Sequence, residues 1–430
     1  MSHVLIVTGV PLDHKIYEAL LRVKEMGHSL HLLSDGNFEP MQGLFETVFT
    51  CDLSKTKDTL EMLKTQPIHF DAVTLQFSDW LTPLVALIAR EYGCIGNDPI
   101  VAFNCRSKYH MRKKLQTAGI PGPKFRLCRN FGELRKAVRE IGFPCVAKPI
   151  GANGSYGVFA LMSELDMAHL KSNYEASINF LKQRMNEGDI FNFTEEELKM
   201  IGVDDPVNMA TDYLVEEYMM GPEISIDALV QDGKVTIMGI EEQIRMEPPY
   251  FIQLGAKLPF NCPSEQMKEI KTLVSNTIKA MGIRNSATHT EIIFTKDGPK
   301  IVEIGCRFGG DDLHDTILEV TGYSMMYESV MIALGVKRKY SVKTLCHTAM
   351  EYLLPTKAGV VQEIYIHPDL KNDPDVTEVF LYVKPGDSVS PPPACFDFLG
   401  YVATRGSSIE AAERKLKRAV NQIKITLTHD

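Results

Sequence analysis

Two acidic residues, Glu291 and Glu303, lie at equal distances from a turn sequence. The segment between them has the pattern of two strands joined by Asp297-Gly298, and each glutamate lies six residues from Asp297. In a symmetric antiparallel hairpin the two side chains would face each other, with Cβ atoms about 4.5–5.5 Å apart. Carboxylates at that separation repel unless a cation lies between them, and Mg²⁺ prefers such oxygen ligands. The spacing predicts a magnesium site, unless a one-residue register shift puts the glutamates on opposite faces.

A glycine-rich segment, residues 148–158, has the composition of a phosphate-binding loop. It contains three glycines, Gly151, Gly154 and Gly157. Glycine adopts positive φ angles at little cost, which lets backbone N–H groups converge on an anion. Lys148 adds a mobile positive charge and Ser155 adds a hydroxyl donor. The lysine precedes the loop and a strand follows it, so this is not the P-loop sequence. The segment predicts either a phosphate site or an ordinary hairpin turn.

Arg307 follows Glu303 by four residues, so strand alternation would keep both side chains on one face if the strand continues. A guanidinium beside a metal site can bind a carboxylate or an acyl phosphate through two hydrogen bonds. An isolated arginine is more often a surface residue. Here Gly309 and Gly310 follow, and they would let a ligand approach the backbone closely, which favours a binding role.

Two further features are weak by themselves. Residues 216–219 end a strand-like run, and a Gly-Pro sequence with Glu223 follows. A backbone hinge at this point could contact an adenine edge and a ribose. Lys108 lies on a basic helical stretch, where an exposed lysine on a helix face is the ordinary interpretation.

The composition excludes several classes of protein. The chain has 430 residues, with Lys+Arg 46 against Asp+Glu 55 and a formal net charge of −9. An acidic chain without a basic run is not typical of a nucleic-acid binder. Its apolar runs are too short to cross a bilayer, and its first residues indicate a strand rather than a signal peptide. The nine cysteines are scattered and form no Cys-x-x-Cys pair, so we expect a reduced, soluble, cytoplasmic protein.

The order of the elements predicts an α/β architecture. Residues 1–105 alternate between strand and helix patterns, which is typical of an open parallel sheet covered on both faces. The dinucleotide fingerprint Gly-x-Gly-x-x-Gly is absent from the first turn. Residues 163–212 are polar and helix-like, and strand patterns return from Tyr213. A final segment from about residue 340 combines short strands with a helix over 408–423.

In chain order, these pieces resemble the ATP-grasp superfamily. The resemblance rests on Lys108, the Val-Ala-Lys148-Pro segment with its glycine loop, the 216–219 hinge, Glu291, and the segment from Glu303 to Arg307. It covers roughly residues 1–335 and implies an α/β (α+β) ATP-grasp fold. The implied domains are a pre-ATP-grasp α/β domain (1–105), an ATP-grasp domain (106–335) with a lid at about 125–212, and a small C-terminal domain (336–430).

Within the superfamily, the segments 287–291 and 307–311 are similar to carboxylate–amine ligases of the L-amino-acid ligase type. The resemblance implies ATP and Mg²⁺ as cofactors, with Mn²⁺ as the alternative ion. It assigns the ATP phosphates and the loop over them to Lys108, Lys148, Gly154, Ser155 and Gly157. It assigns adenine to Glu216, Met219 and Ile293, ribose to Glu223, and the metal to Glu291 and Glu303. It assigns the acyl phosphate and the catalytic role to Arg307, and substrate contacts to Arg307, Gly309, Gly310 and Asp311.

The leading hypothesis is an ATP-dependent ligase that joins a small carboxylate, an amino acid, to an amine through an acyl phosphate and releases ADP and phosphate. The second hypothesis is a biotin-carboxylase-like carboxylation through carboxyphosphate, although the chain has no Met-Lys-Met biotinyl segment. The third is a nucleotide-binding protein without turnover. The expected partners are small carboxylate and amine molecules, with no nucleic acid and no membrane, and a homodimer is one option for assembly.

Two positions carry open alternatives. The family usually has an Asn ligand where this chain has Gly305. The missing oxygen implies a second metal site that is weaker or completed by water, or a protein that has lost activity. Asp311 could bind the ammonium group of an amino-acid substrate, because a desolvated charge needs a partner. Its alternative role is to cap the helix predicted over 313–320.

Overall fold

The computed structural model describes residues 1–36, 43–76, 78–152, 155, 157–186, 192–246, 251–310, 313–391 and 398–428. Within these residues the strands form four sheets, of four, eight, three and four strands. The N-terminal sheet is parallel and the other three are antiparallel, which confirms the predicted mixed α/β class. No helix in the described part of the chain combines the length and the apolar content that a membrane crossing requires.

The N-terminal region follows the predicted alternation of strand and helix. It consists of β1 (His3–Val7), α1 (His14–Glu25), β2 (Ser29–Ser34), β3 (Thr47–Thr50), α2 (Thr56–Lys64), β4 (Ala72–Leu75), α3 (Thr82–Tyr92) and α4 (Pro99–Arg106). The parallel order is β3-β2-β1-β4. Every residue of β2 is buried, as expected for a strand covered on both faces. The carboxyl ends of β1 and β4 lie at the same edge of this sheet.

A second sheet is formed by residues 125–217, and we call it the lid sheet. The elements in this part of the chain are α5 (Lys108–Thr117), β5 (Phe125–Cys128), α6 (Phe131–Ile141), β6 (Cys145–Pro149), β7 (Phe159–Leu161), α7 (Leu170–Asn186), α8 (Glu195–Ile201) and β8 (Tyr213–Glu217). The sheet order is β5-β8-β6-β7. The glycine-rich segment connects the antiparallel neighbours β6 and β7, and the polar stretch 163–212 contains α7 and α8, as its pattern predicts.

The large sheet has eight strands and extends into the C-terminal region. The remaining elements are β9 (Glu223–Gln231), β10 (Lys234–Arg245), β11 (Gln253–Leu258), α9 (Ser264–Met281), β12 (Ser286–Thr295), β13 (Gly298–Gly305), α10 (Leu313–Thr321), α11 (Met325–Ala333), β14 (His347–Leu353), β15 (Gly359–Ile366), β16 (Val376–Leu381), β17 (Ser388–Val389), β18 (Gly400–Gly406), α12 (Ile409–Val420) and β19 (Ile423–Leu427). The order of the large sheet is β13-β12-β9-β10-β11-β14-β18-β16. The predicted boundary at residue 335 lies between α11 and β14, and β14 pairs with β11 across it.

One buried arginine joins the lid sheet to the large sheet. Arg112 on α5 donates from Nε to Oε1 of Glu216 on β8 at 2.6 Å, and from Nη2 to Oε2 at 3.1 Å. Its two terminal nitrogens also donate to the carbonyls of Ile301 (2.9 Å) and Val302 (2.7 Å) on β13. Burial would raise the pKa of Glu216, but Arg112 and Lys148 outweigh it and lower the pKa to about 2. The planar guanidinium can satisfy all these acceptors at once, which an ammonium group cannot.

Replacing Arg112 by alanine should destabilise the protein strongly. Glu216 is 1% exposed, so the variant leaves a buried carboxylate without its main partner. We expect R112A to lower the free energy of unfolding by about 3–5 kcal/mol in urea titrations. The control is R126A, because Arg126 forms an exposed pair with Glu140 at 3.1 Å and should contribute about 0–1 kcal/mol. Equal losses in the two variants would show that the network does not join the sheets.

Candidate active site

Glu291 and Glu303 face each other across the β12–β13 ladder, as the sequence predicts. The register depends on one irregularity. Regular pairing from the turn, where Thr295 pairs with Gly298, would put Val302 opposite Glu291. A register shift just after Glu291 inserts one extra residue on β13 and brings Glu303 opposite instead. The two carbonyls that Arg112 binds belong to residues 301 and 302, so the arginine holds the chain at this shift.

Two lysines lie near Glu303, and one of them contacts it. Lys108 Nζ, at the start of α5, is 3.3 Å from Oε2 of Glu303. Lys148 Nζ, on β6, is 2.6 Å from Oε2 of Glu216. Burial acts to raise the pKa of Glu303, but the charges of Lys108, Lys148 and Arg307 lower it to about 2. Glu303 therefore stays ionised at neutral pH.

The environment of Glu223 raises the pKa of this carboxyl group, in contrast to that of Glu303. This residue lies on β9, on the face that carries Glu291. Burial raises the pKa of Glu223 to about 7, and Glu291 adds to the increase although Arg245 opposes it. Arg245 Nη2 lies 2.6 Å from Oε1 of Glu223 and 3.9 Å from Oε1 of Glu291. The charge of Glu291 thus contributes to the raised pKa of Glu223, and a divalent cation beside Glu291 would relieve this repulsion. Glu291 and Glu303, which pair directly, fit Mg²⁺ as its oxygen ligands.

Arg307 reaches the site from beyond the end of β13. The strand stops at Gly305, so simple alternation does not carry Arg307 to the face of Glu303. Its Nε lies 3.5 Å from Oδ1 of Asp79, which follows β4 in the N-terminal region. Asp79 Oδ2 lies 3.6 Å from Nε of the buried Arg106. A Cβ atom at Gly305 would lie 3.2 Å from Asp79 Oδ1, so Asp79 borders the space where the family's Asn side chain would begin.

His289, on β12 two residues before Glu291, forms a buried ion pair. Its Nδ1 lies 2.6 Å from Oδ1 of Asp227 on β9, and its Nε2 lies 3.7 Å from Oε1 of Glu291. The other oxygen of Asp227 accepts the N–H of Gly309 at 2.7 Å. Burial alone would lower the pKa of His289, but Asp227 outweighs it and raises the pKa to about 10. His289 is therefore an imidazolium at neutral pH.

The hinge after β8 packs against β12. Gly221 has φ = +148°, and a Cβ atom there would lie 1.8 Å from the carbonyl oxygen of Phe294, so this position requires glycine. Met219 and Ile293 both line the cavity beside the hinge. Glu216 lines the same cavity, but its carboxylate is bound by Arg112 and Lys148.

Most of the predicted site residues line one cavity of about 1450 Å³. Its lining includes Lys108, Lys148, Ser155, Glu216, Met219, Glu223, Glu291, Ile293, Glu303, Arg307 and Gly310. Gly157 and Gly309 are not part of the lining. A Cβ atom at Gly157 would lie 2.3 Å from Ser177 Oγ, and Gly309 faces Asp227. Gly154 and Asp311 lie outside the described residues.

Two family profiles match this chain. The profile of the ATP-grasp domain matches residues 141–315, and that of the L-amino acid ligase C-terminal domain 2 matches residues 351–428. The chain contains an ATP-grasp domain. The matched range of this domain includes Lys148, Glu291, Glu303 and Arg307, whereas Lys108 precedes it.

Several curated relatives of this chain are ligases or synthases. The alanine–anticapsin ligase of Bacillus subtilis (strain 168) is 26% identical over 268 residues, which are 59% of this chain and 52% of that protein. Carnosine synthase 1 of Mus musculus is 22% identical over 378 residues, which are 81% of this chain and 43% of that protein. The chain thus spans about half the length of these relatives.

Solved structures share the ATP-grasp fold over the whole chain. The L-amino acid ligase from Bacillus licheniformis has a TM-score of 0.82 at 20% identity, with 100% of this chain and 99% of that chain covered. The phosphoribosylglycinamide synthetase from Anaerococcus prevotii has a TM-score of 0.70 at 19% identity, with 99% and 100% covered. At these identities the comparison shows the fold and not the substrate.

The motifs do not identify several polar residues that the ATP-grasp fold brings to this site. They are Asp79, Arg112, Asp227, Arg245 and His289. Only His289 carries a local signal, because it lies two residues before Glu291 on the same face of a strand. The other four join the site through pairing and packing between distant segments.

Replacing Glu303 by glutamine should weaken metal binding, because it removes a charged ligand and little volume. We expect E303Q to bind Mn²⁺ about tenfold more weakly or worse, measured by electron paramagnetic resonance with a non-hydrolysable ATP analogue. The control is E242Q, because Glu242 is 42% exposed and lies near Lys257 on β11. Unchanged Mn²⁺ affinity in E303Q would contradict the metal assignment.

The His289–Asp227 pair should give the protein a defined pH dependence. The pKa of His289 rises from 6.5 to about 10 on folding, so the pair stabilises fully below about pH 6.5 and loses this effect as the pH rises through 10. In D227N the main cause of the increase is gone. We therefore expect NMR titration to show His289 protonated at pH 8 in the wild type and neutral in D227N. Identical titration of His289 in both proteins would rule out the pairing.

Proposed function

We propose that the protein is an ATP-dependent ligase that joins a small carboxylate, an amino acid, to an amine and releases ADP and phosphate. The observation that carries the proposal is the meeting of opposite charges in one cavity. Lys108 and Lys148 face the hairpin that bears Glu291 and Glu303, and Arg307 lines the same space. Phosphoryl transfer depends mainly on positioning and charge neutralisation, which such a set supplies.

ATP would lie between the lid sheet and the large sheet. Lys108 and Lys148 would contact its phosphates, and Ser155, which lines the same cavity, would lie beside them. The Met219 backbone and Ile293 would enclose the adenine, and Glu223 would bind the ribose. Mg²⁺, held by Glu291 and Glu303, would supply charge neutralisation at the phosphates.

The position of Lys148 depends on Glu216. Arg112 fixes the Glu216 carboxylate through two hydrogen bonds, and Oε2 is then left 2.6 Å from Lys148 Nζ. A lysine side chain has several rotatable bonds, and this contact restricts them before any nucleotide is present. We therefore assign Glu216 the role of positioning Lys148, in addition to a place beside the adenine.

The proposed reaction has two steps. An oxygen of the first substrate's carboxylate attacks the γ-phosphorus of ATP, ADP leaves, and an acyl phosphate forms. The amine nitrogen of the second substrate then attacks the acyl carbon, the amine loses a proton, and phosphate leaves with the electrons of the C–O bond. Arg307 would bind the carboxylate and then the acyl phosphate through its paired N–H donors.

His289 would act as a cation and not as the proton acceptor for the amine. Asp227 raises its pKa to about 10, so the ring already holds its proton at neutral pH. Its charge is paired with Asp227 and lies beside Glu291, so its proposed role is to hold these two carboxylates in place.

The names of the relatives support the ligase class. They are an alanine–anticapsin ligase, a carnosine synthase and an L-amino acid ligase. Biotin carboxylase of Campylobacter jejuni has the same fold at 16% identity, so bicarbonate belongs in the test.

The test is a scan of the twenty amino acids in pairs, with ATP and Mg²⁺, in which phosphate release and the product mass are measured. At least one pair should raise phosphate release about tenfold over ATP alone and yield one amide per phosphate. Stimulation by bicarbonate would indicate carboxylation instead. Binding of an ATP analogue without any stimulation by pairs or by bicarbonate would indicate a non-catalytic protein. Either result would overturn the ligase proposal.

With the active pair in hand, R307A separates the role of this arginine from nucleotide binding. We expect R307A to lower kcat by about 100-fold with the KM for ATP within about twofold. The control is R405A, because Arg405 is 43% exposed and pairs with Glu319. A large rise in the KM for ATP in R307A would place Arg307 on the nucleotide rather than on the acyl group.

A further inference from the structure

Three metal-binding side chains meet at the end of the N-terminal sheet that faces away from the cavity. His3 opens β1, His31 lies on β2, and Glu46 directly precedes β3. These three strands are parallel neighbours. The cavity lies at the opposite edge, where Val10 follows β1 and Asp79 follows β4. The cluster is therefore separate from the proposed active site.

The ligand atoms of this cluster are close enough to share one ion. Nδ1 of His3 lies 3.0 Å from Nε2 of His31, a hydrogen bond that a bound ion would replace. One ligand atom from each of the three side chains lies within 4.8 Å of the other two. In a tetrahedral zinc site with Zn–N bonds of about 2.0–2.1 Å, ligand atoms are about 3.3 Å apart. A small outward movement of the two rings would therefore accommodate the ion.

The surroundings of His31 hold its ring in place. His31 is 1% exposed and packs edge-on against Phe70, with ring centroids 5.6 Å apart. Glu46 is exposed and would supply negative charge at the open side.

We propose that His3, His31 and Glu46 bind a divalent ion of the borderline class, with Zn²⁺ as the best match, and that this ion joins the amino ends of β1, β2 and β3. Two imidazole nitrogens and one carboxylate oxygen are a common zinc donor set, whereas Mg²⁺ prefers oxygen ligands alone. Three protein ligands leave one position for water.

A second group of possible ligands in the described residues, Asp13, His314 and Asp315, is less suited to a cation. Lys15 Nζ lies 3.0 Å from Oδ2 of Asp315, so an ammonium group already supplies positive charge there.

The test is Zn²⁺ titration of the full chain after treatment with a chelator, followed by isothermal calorimetry and by thermal unfolding. The wild type should bind one Zn²⁺ that H3Q and E46Q each bind at least tenfold more weakly, and this ion should raise the Tm of the wild type alone by a few degrees. Both changed residues are partly or fully exposed, so the variants should fold. Co²⁺ in place of Zn²⁺ should give the visible absorption of a tetrahedral site in the wild type and lose it in H3Q.

The matched control is H69Q, because His69 is an exposed histidine outside the cluster. It should bind Zn²⁺ like the wild type. Equal Zn²⁺ affinity in H3Q, E46Q and the wild type, or no binding to the wild type, would overturn the proposal. Neither result depends on the ligase function, since no step of the test requires turnover.

Discussion

The buried contact between Arg112 and Glu216 is the constraint on which the site depends. Arg112 is 2% exposed and Glu216 is 1% exposed, so neither charge could be buried without the other. The same guanidinium binds the carbonyls at the register shift of β13, and the same carboxylate contacts Lys148. One ion pair therefore fixes the position of a lysine on the lid sheet relative to a glutamate on the large sheet. The proposed phosphate ligand and the proposed metal ligand would act together only if these two sheets are held in this way.

The surroundings of the carboxylates in this site give them different pKa values. Glu303 lies among Lys108, Lys148 and Arg307 and has a pKa of about 2, whereas Glu223 has a pKa of about 7 because it is buried near Glu291. The two glutamates thus have different neighbouring charges and differ in protonation. Glu223 and Glu291 lie on β9 and β12 beside Arg245, whereas Lys108 and Lys148 come from α5 and β6. A nucleotide with its metal ion carries both signs in the same arrangement, so it would complete the charge balance on both sides.

The sequence predicts the glutamate pair but not the reason why it forms. Six-residue symmetry about Asp297 suggests a regular hairpin, yet the actual turn would misplace Glu303 by one residue without the shift on β13. Backbone shifts of this kind leave no trace in residue types, and the arginine that holds this one comes from a helix almost 190 residues earlier. A buried arginine on a basic helix looks like any exposed one in the sequence. Long-range ion pairs are therefore the part of the site that motifs cannot supply.

The sequence predicts helices and strands best where a repeat of apolar residues lies within one segment. The parallel N-terminal sheet, the basic helix α5 and the β12–β13 hairpin follow their patterns. Helix α9 also has an amphipathic sequence pattern, because its buried apolar residues from Ile270 to Met281 recur at helical spacing. It carries no functional motif. The pairing of β11 with β14 is not predicted, because it joins segments about 100 residues apart on either side of the predicted boundary near residue 335. Composition does not record such long-range pairing.

The walls of the cavity show why the sequence motifs do not name a substrate. Trp80 lies so close to Gly9 that a Cβ atom there would be 2.3 Å from the indole ring, and Trp80 lines the cavity from the N-terminal region. From the C-terminal region, Tyr352 and Phe398 line it with ring centroids 4.5 Å apart. These residues lie in three distant parts of the chain, and none belongs to a motif of the ATP-grasp domain. The charged residues of the proposed reaction lie on β12 and β13, whereas these walls come from segments far apart in the chain, so the motifs do not predict the shape of the cavity.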